Sequence, residues 1–416
     1  MKKKLITLAV AGALATPLAV SADSTNVTIF GSVQAEYNTV DIDGISSQSN
    51  IGDDAGKSRW GLHVVEELGG GLKAKAHIEY GLNTGSGNIG IARERWVGLG
   101  NDAWGDVKFG RVASPFKDFA GGNTIDPFAY TTLQAGGSGG TMVASANGMG
   151  AGANGFVNSA ARYDSPLVEG FAFSALLMPG DSNRLDPVTG AVRAPSSSGG
   201  FSSGGEDGEW DFQIAAKHSS EFGAHGFDIF GGYSRDNVST NEETFVNIRG
   251  GNSDDEEIWR GGASWTFADF RLSGQYENIN NASMTGAASC TTSGMLGSNT
   301  PDAIGGNAGG GTGQCNTAMN IGADGEVWFA GAEYKIGNTR LIAQGGKSHA
   351  RKGGIDPLTL GAGQGRDAWS YTAGVIHELS KRSSLFGGYQ RVDVQDNAAT
   401  ADRDRNTYTV GMRHNF

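Results

Sequence analysis

The chain has 416 residues, of which 68 are glycine and only 38% are apolar, and its formal charge is −12. The acidic balance argues against a nucleic-acid partner. Two cysteines are too few for a disulfide-scaffolded fold.

Residues 1–22, MKKKLITLAVAGALATPLAVSA, read as a secretory signal peptide. Lys2, Lys3 and Lys4 form the basic start, Leu5 to Val20 the apolar stretch, and Val20-Ser21-Ala22 the cleavage site before Asp23. The expected mature chain, 23–416, is one domain of 394 residues (416 minus 22), and losing three lysines takes its charge from −12 to −15. It holds no run of 18 apolar residues, so it has no transmembrane helix. A spanning role then leaves only a closed β-barrel.

Period-two alternation dominates the rest. VTIFGSVQAEYN (27–38) opens it. KSRWGLHVVEEL (57–68) sets Trp60, Leu62 and Val64 against Arg59, Gly61 and His63. LKAKAHIEY (72–80) puts Leu72, Ala74, Ala76, Ile78 and Tyr80 on one face and Lys73, Lys75, His77 and Glu79 on the other. Strand spacing separates such sets completely, whereas helix spacing scatters them. Between these two runs stands only LGGG. The pattern repeats at 93–100 and 106–112, 159–165 and 170–178, 209–218 and 226–235, 257–267 and 270–279, 325–336 and 339–349, and 368–379 and 383–394. NTYTVGMRHNF (406–416) closes the chain. Seven hairpins and one strand at each end make 16 predicted strands.

The predicted connections alternate in length. One set has about two to six residues; the other is long and polar, with 39–56, 113–158, 179–208, 236–256, 280–324 and 350–367 the largest. Short turns on one rim and long loops on the other mark an outer-membrane barrel. An even strand number lets the last strand pair with the first, leaving no open edge in lipid. Tyr408, Val410, Met412, His414 and Phe416 share the face expected to point outward, with Phe416 as the barrel-closing aromatic of the interfacial girdle. Trp60, Trp96, Trp259, Trp265, Trp328 and Trp369 read as further girdle residues on the oily face. Cys290 and Cys315 lie 25 residues apart in a Gly/Ser/Asn/Thr-rich region and are expected to form one local disulfide.

Several blocks carry a family resemblance: VTIFGSVQAEY, SRWGLHVVEELGGGLKAKAHIEYGLNTG, RERWVGLGNDAWGDVKFGR, NSAARYDSPLVEGF, HELSKRSSLFGGYQ and the terminal VGMRHNF. In these, and in their order, the chain resembles the trimeric general porins of Gram-negative outer membranes, in the form common in beta- and gamma-proteobacteria. The resemblance implies a 16-stranded antiparallel transmembrane barrel with short periplasmic turns and long extracellular loops. It implies a homotrimer in outer-membrane lipid and lipopolysaccharide, and passive diffusion of ions and small hydrophilic solutes. It also implies that the third loop, 113–158, folds inward, with a basic ladder on the wall facing an acidic loop. Arg59, Arg93 and Arg162 fall where the matching blocks place that ladder, with Arg95, Lys75 and Lys73 as neighbours. Lys57 and His63 share the face of Arg59, and Arg413 is on the polar face of the last strand. The loop's carboxylates are Asp118 and Asp126.

A pore selects by its width and its lining charges. The local balance points to anions and the mature charge of −15 to cations, so the sequence leaves the sign open. A substrate-specific channel on the same wall is the alternative reading. An enzyme on a barrel needs a Ser/His/acid set that the sequence does not offer. A soluble propeller or adhesin needs a repeat of about 40–50 residues that is absent. No metal-ligand or phosphate-loop motif is present, and no cofactor is expected.

Overall fold

Alternating side chains become two separate surfaces once the strands pair. The computed structural model describes residues 25–42, 45–53, 56–87, 89–135, 155–179, 184–185, 192–193, 210–237, 255–281, 324–352, 366–396 and 403–416. The predicted signal peptide, residues 1–22, and both cysteines of the predicted disulfide lie outside the described residues.

The strands in chain order are β1 (Thr25–Ile42), β2 in two segments (Ile45–Gly52 and Arg59–Gly69), β3 (Leu72–Leu82), β4 (Ile89–Asn101), β5 (Gly105–Ala113), β6 (Phe156–Asp164), β7 (Phe171–Pro179) and β8 (Trp210–Phe222). They continue as β9 (His225–Asp236), β10 (Glu256–Phe267), β11 (Phe270–Asn280), β12 (Asp324–Ile336), β13 (Thr339–Lys352), β14 (Arg366–Glu378), β15 (Ser383–Asp396) and β16 (Arg403–Asn415). Each pairs antiparallel with its chain neighbours, and β16 returns to β1 from Ser32↔Asn415 to Ile42↔Arg405. The result is the closed 16-stranded barrel that the sequence predicts. One difference lies in β2. The first of its segments pairs with the upper half of β1 and the second with the lower half. That first segment falls within 39–56, which the sequence reads as loop. A two-residue ladder, Arg184–Leu185 with Val192–Arg193, forms a separate small sheet. Among the described residues no helix is long and apolar enough to cross a membrane.

The seven short turns, 70–71, 102–104, 165–170, 223–224, 268–269, 337–338 and 379–382, all fall on one rim. The outer wall is apolar: Ile29, Val97, Phe109, Phe171, Ile214, Ile229 and Val410 are all exposed. The inner wall is polar: Gln34, Glu36, Asn38, Gln213, Gln275, Gln390 and Thr407 are buried. This inverts a soluble protein and fits a wall with lipid outside. Cross-strand aromatic pairs Trp60–Tyr80, Tyr233–Trp259, Tyr276–Trp328 and Tyr389–Tyr408 form an outer row toward the long loops. Phe171, Phe227, Phe267, Tyr334 and Phe416 sit on the outer face by the short turns.

Phe416 closes the ring as its alternation predicts. Its backbone exchanges two hydrogen bonds with Gly31, at 3.1 and 3.0 Å, and its ring lies over the space a Cβ on Gly31 would fill. Tyr408, Val410, Met412 and His414 share its exposed face, while Thr409 and Arg413 point inward.

The connection after β5 enters the barrel. Residues 114–135 form a short helix α1 (Pro115–Asp118), a 3-10 turn (Gly122–Thr124) and a chain of tight turns. The loop lies against the wall from β8 round to β1. Three glycines on the inner face make the hollows that seat it. A Cβ on Gly232 would stand 2.5 Å from the Phe116 ring, one on Gly374 2.9 Å from Phe128, and one on Gly388 3.0 Å from Leu133. Phe116, Ile125, Phe128 and Leu133 are all buried there, against Ile258, Ile279, Ile342 and Phe386 among others. Burying four such side chains contributes roughly 1.5–3 kcal/mol each.

Candidate functional site

Side chains from the wall complete the seating. The Phe116 and Gly122 amides donate to the side-chain oxygens of Gln213 and Gln275, each at 2.9 Å. Arg260 donates to the carbonyls of Phe116 and Ala120, stacks on the Phe116 ring and pairs with Glu277 at 2.8 Å, both side chains being fully buried. Gln344 and Gln390 donate to the Leu133 carbonyl. The Thr132 amide donates to Glu36, and Gln34 and Arg413 donate to the Tyr130 carbonyl at 2.7 and 3.1 Å. Buried backbone groups need such partners, and here seven wall strands supply them.

The loop thereby fills one side of the lumen and presents Tyr130 to the other. Tyr130 takes a left-handed backbone conformation (φ 62°), a strained state for a bulky residue. Lys57 Nζ and the Arg59 guanidinium each lie 5.1 Å from its ring centroid, and Arg93 lies at 5.8 Å. Arg93 is buried and pairs with Glu79, which Arg59 also approaches at 3.8 Å. From the loop side, Lys117 Nζ stands 3.6 Å over the Phe156 ring, which also stacks on Arg93. Five cations (Lys57, Arg59, Arg93, Lys117 and Arg413) thus gather round one phenol, with Glu79, Asp53, Glu36 and Glu94 as the neighbouring carboxylates.

That crowding acts on both loop groups. Burial raises the Tyr130 phenol, but Lys117, Arg93 and Arg59 outweigh it and bring it down to about 7. Burial is the main cause that lowers Lys117 to about 8.

Other predicted members lie elsewhere. Arg95 is on the outer face. A β-bulge in β4 sets both Arg93 and Glu94 opposite Glu79, with Ile78↔Arg95 on one side and Tyr80↔Ala92 on the other. One extra residue reverses the face of all that follow. Arg95 is therefore exposed and lies 4.5 Å over the Tyr80 ring, while Trp96 turns inward to stack on His77 at 5.3 Å. This corrects two expectations, Arg95 in the ladder and Trp96 in the girdle. Lys73 pairs with Asp102 at the short-turn rim, and Lys75 pairs with Asp106. Both face the lumen, but nearer the short turns than the Tyr130 cluster.

Of the two loop acids, Asp118 meets one predicted ladder residue, Arg162, at the root of the loop, and neither faces the Tyr130 cluster across the lumen. Arg162 is buried and holds Asp118 at 2.8 Å, Asp164 at 2.9 Å and the Ala113 carbonyl, which fastens the root of the loop to the wall. Asp126 is buried and accepts from the Phe128 and Ala135 amides at 2.9 and 2.6 Å, which braces the loop's own turns. The expectation is corrected for Asp126, whose short side chain takes up loop amides, whereas Asp118 pairs with the predicted ladder residue Arg162. Sequence reasoning missed Tyr130, Lys117 and Glu79. Glu79 was legible in position, by alternation with Lys75, though not in role. The two loop residues belong to no periodic pattern.

Comparisons with known proteins agree with this architecture. A family model described as Gram-negative porin matches residues 7–397. An outer membrane porin protein of Bordetella pertussis is 32% identical over 149 residues, covering 31% of this chain and 37% of that relative. The match to that curated relative therefore spans little more than a third of its length. Among solved structures, an anion-selective porin from Comamonas acidovorans is 21% identical, with 94% of this chain and all of that chain covered and a TM-score of 0.61. The trimer form of OmpT, an outer membrane protein of Vibrio cholerae, is 14% identical, with 95% of this chain and all of that chain covered and a TM-score of 0.53. The two structures share the fold; the family match extends over nearly the whole sequence. The chain belongs to the Gram-negative porins.

Proposed function

We propose that the protein is a passive diffusion channel of the outer membrane, working as a homotrimer, whose constriction favours small hydrophilic anions. The observation that carries this is the charge arrangement around Tyr130. Lys57, Arg59, Arg93, Lys117 and Arg413 converge there, whereas Asp118 and Asp126 are held in bonds that fold the loop. A permeating anion meets cations on the wall and on the loop, while the neighbouring carboxylates Glu79, Asp53 and Glu36 are buried in bonds of their own, and lining charge sets ion preference. The net negative charge of the chain does not decide the matter, because charges beyond a Debye length of about 10 Å are screened. The trimer rests on likeness to family members, one of which forms trimers. The same likeness supports outer-membrane lipid and lipopolysaccharide as its surroundings.

Proteoliposome swelling and bilayer conductance test this together. Purified protein is expected to admit small neutral sugars. The Lys57→Gln/Arg59→Gln pair should reduce chloride preference while leaving sugar entry nearly unchanged. No solute entry from a folded protein overturns the channel; an unmoved ion preference overturns the constriction.

A further inference from the structure

Below the constriction, on the side of the short turns, two imidazoles meet. His63 of β2 and His77 of β3 are directly opposed in register, which brings side chains of one face together. Their Nδ1 atoms stand 3.4 Å apart. His77 is fixed between two rings, Phe30 at 5.0 Å and inclined by 29°, and Trp96 at 5.3 Å and nearly parallel to it. His63 meets the edge of Trp96 at 5.9 Å. Both imidazoles face the lumen, with the ion pairs Lys75–Asp106 and Lys108–Asp164 nearby. None of this packing is used by the constriction.

The geometry points to a transition-metal site: His63 and His77 bind one divalent cation of the zinc class through their Nδ1 atoms, on the wall just below the constriction. Two nitrogens each about 2.0–2.1 Å from a tetrahedral zinc ion are about 3.4 Å apart, so the pair already has the required separation. Binding through both Nδ1 atoms leaves the ring protons on Nε2. His77 Nε2 is buried without a hydrogen-bond partner, and the nearest carboxylate oxygen, Glu79 Oε2, is 3.9 Å away. A metal-bound imidazole characteristically turns its other N–H to a carboxylate, and Glu79 stands ready for it. Among the described residues no group of three or more His, Cys, Asp or Glu forms a metal cage. The site therefore has two protein ligands, and pore water completes the shell. Imidazole pairs select zinc, nickel and copper over magnesium and calcium. His77 lies two residues from Glu79 on the same face, about 7 Å along the strand. A bound cation there adds two positive charges below the constriction, narrows the lumen and strengthens anion preference.

Zinc chloride titrated calorimetrically into the full, detergent-folded protein reads binding without conduction, so a failed channel reading would not mask it. One ion per barrel is expected in the sub-millimolar range, with at least about tenfold weaker binding in His63→Gln. In bilayers, zinc chloride should lower current reversibly, with recovery on EDTA, and His63→Gln should conduct normally without responding. Copper(II) chloride on the wild-type protein gives a readout that needs no variant: its electron paramagnetic resonance should show two coordinating nitrogens. Equal zinc binding by wild type and His63→Gln, or a copper spectrum without nitrogen coupling, overturns the site.

Discussion

Raising the pH from 6 to 9 should weaken the anion preference, because it removes positive charge at the constriction. Tyr130 ionises with its phenol at about 7, gaining a negative charge. Lys117 loses its proton at about 8. Lys57 on the wall, lowered mainly by burial, loses its proton at about 7. All three changes have the same sign, and together they remove three unit charges near the path of the ion. A chloride ion passing about 5 Å from each group loses about 0.8 kcal/mol of attraction per charge in pore water. Screening at 0.1 M salt, with a Debye length of about 10 Å, leaves about 0.5 kcal/mol each. The sum is about 1.5 kcal/mol, roughly a tenfold fall in the chloride-to-potassium permeability ratio. Zero-current potentials across a potassium chloride gradient, taken at half-unit pH steps, measure it directly. Tyr130→Phe should shrink the part of the change near pH 7 to the share of Lys57 and keep the part near pH 8. A flat profile between pH 6 and 9, or a rise in anion preference, would refute the reasoning.

Arg95→Ala should leave ion selectivity unchanged, since the bulge places Arg95 outside the barrel, while Arg59→Ala should lower chloride preference in the same bilayer assay. Arg260→Met removes the ion-pair partner of a fully buried Glu277 and two bonds to the loop. It should cost about 3–5 kcal/mol, read as a lower temperature for loss of the compact band on unheated gels. The pair Arg260→Met/Glu277→Leu should regain much of that stability but show noisier openings, because the loop still lacks its two carbonyl bonds. Phe416→Ala loses a half-exposed ring packed over Gly31. About 1 kcal/mol of apolar burial goes with it, and barrel closure in refolding should slow.

The wall was legible because a membrane barrel states its faces by alternation, strand after strand. The run from Tyr408 to Phe416 and the run from Leu72 to Tyr80 each show their oily and wet sides without any tertiary information. Alternation fails at one inserted residue. The bulge opposite Glu79 looks like any other stretch of RERWVG, yet it sends Arg95 out and Trp96 in. The constriction loop was legible in place, by its length and by the resemblance, but not in chemistry. Its two aspartates are the conspicuous charges of the segment, and both serve its own turns and root. Tyr130 and Lys117 owe their roles to contacts with strands far along the chain, which no local pattern records. The glycines on β9, β14 and β15 have the same character. In the sequence they only raise a count; in the barrel they seat Phe116, Phe128 and Leu133. The His63–His77 pair, 14 residues apart, emerges only from the register of one hairpin.

The central claim is that constriction charge, and not the overall acidity of the chain, sets what passes. The wild-type zero-current potential at pH 6 across a potassium chloride gradient tests it most directly. A sign set by chloride as the faster ion is predicted. A sign set by potassium would contradict the account.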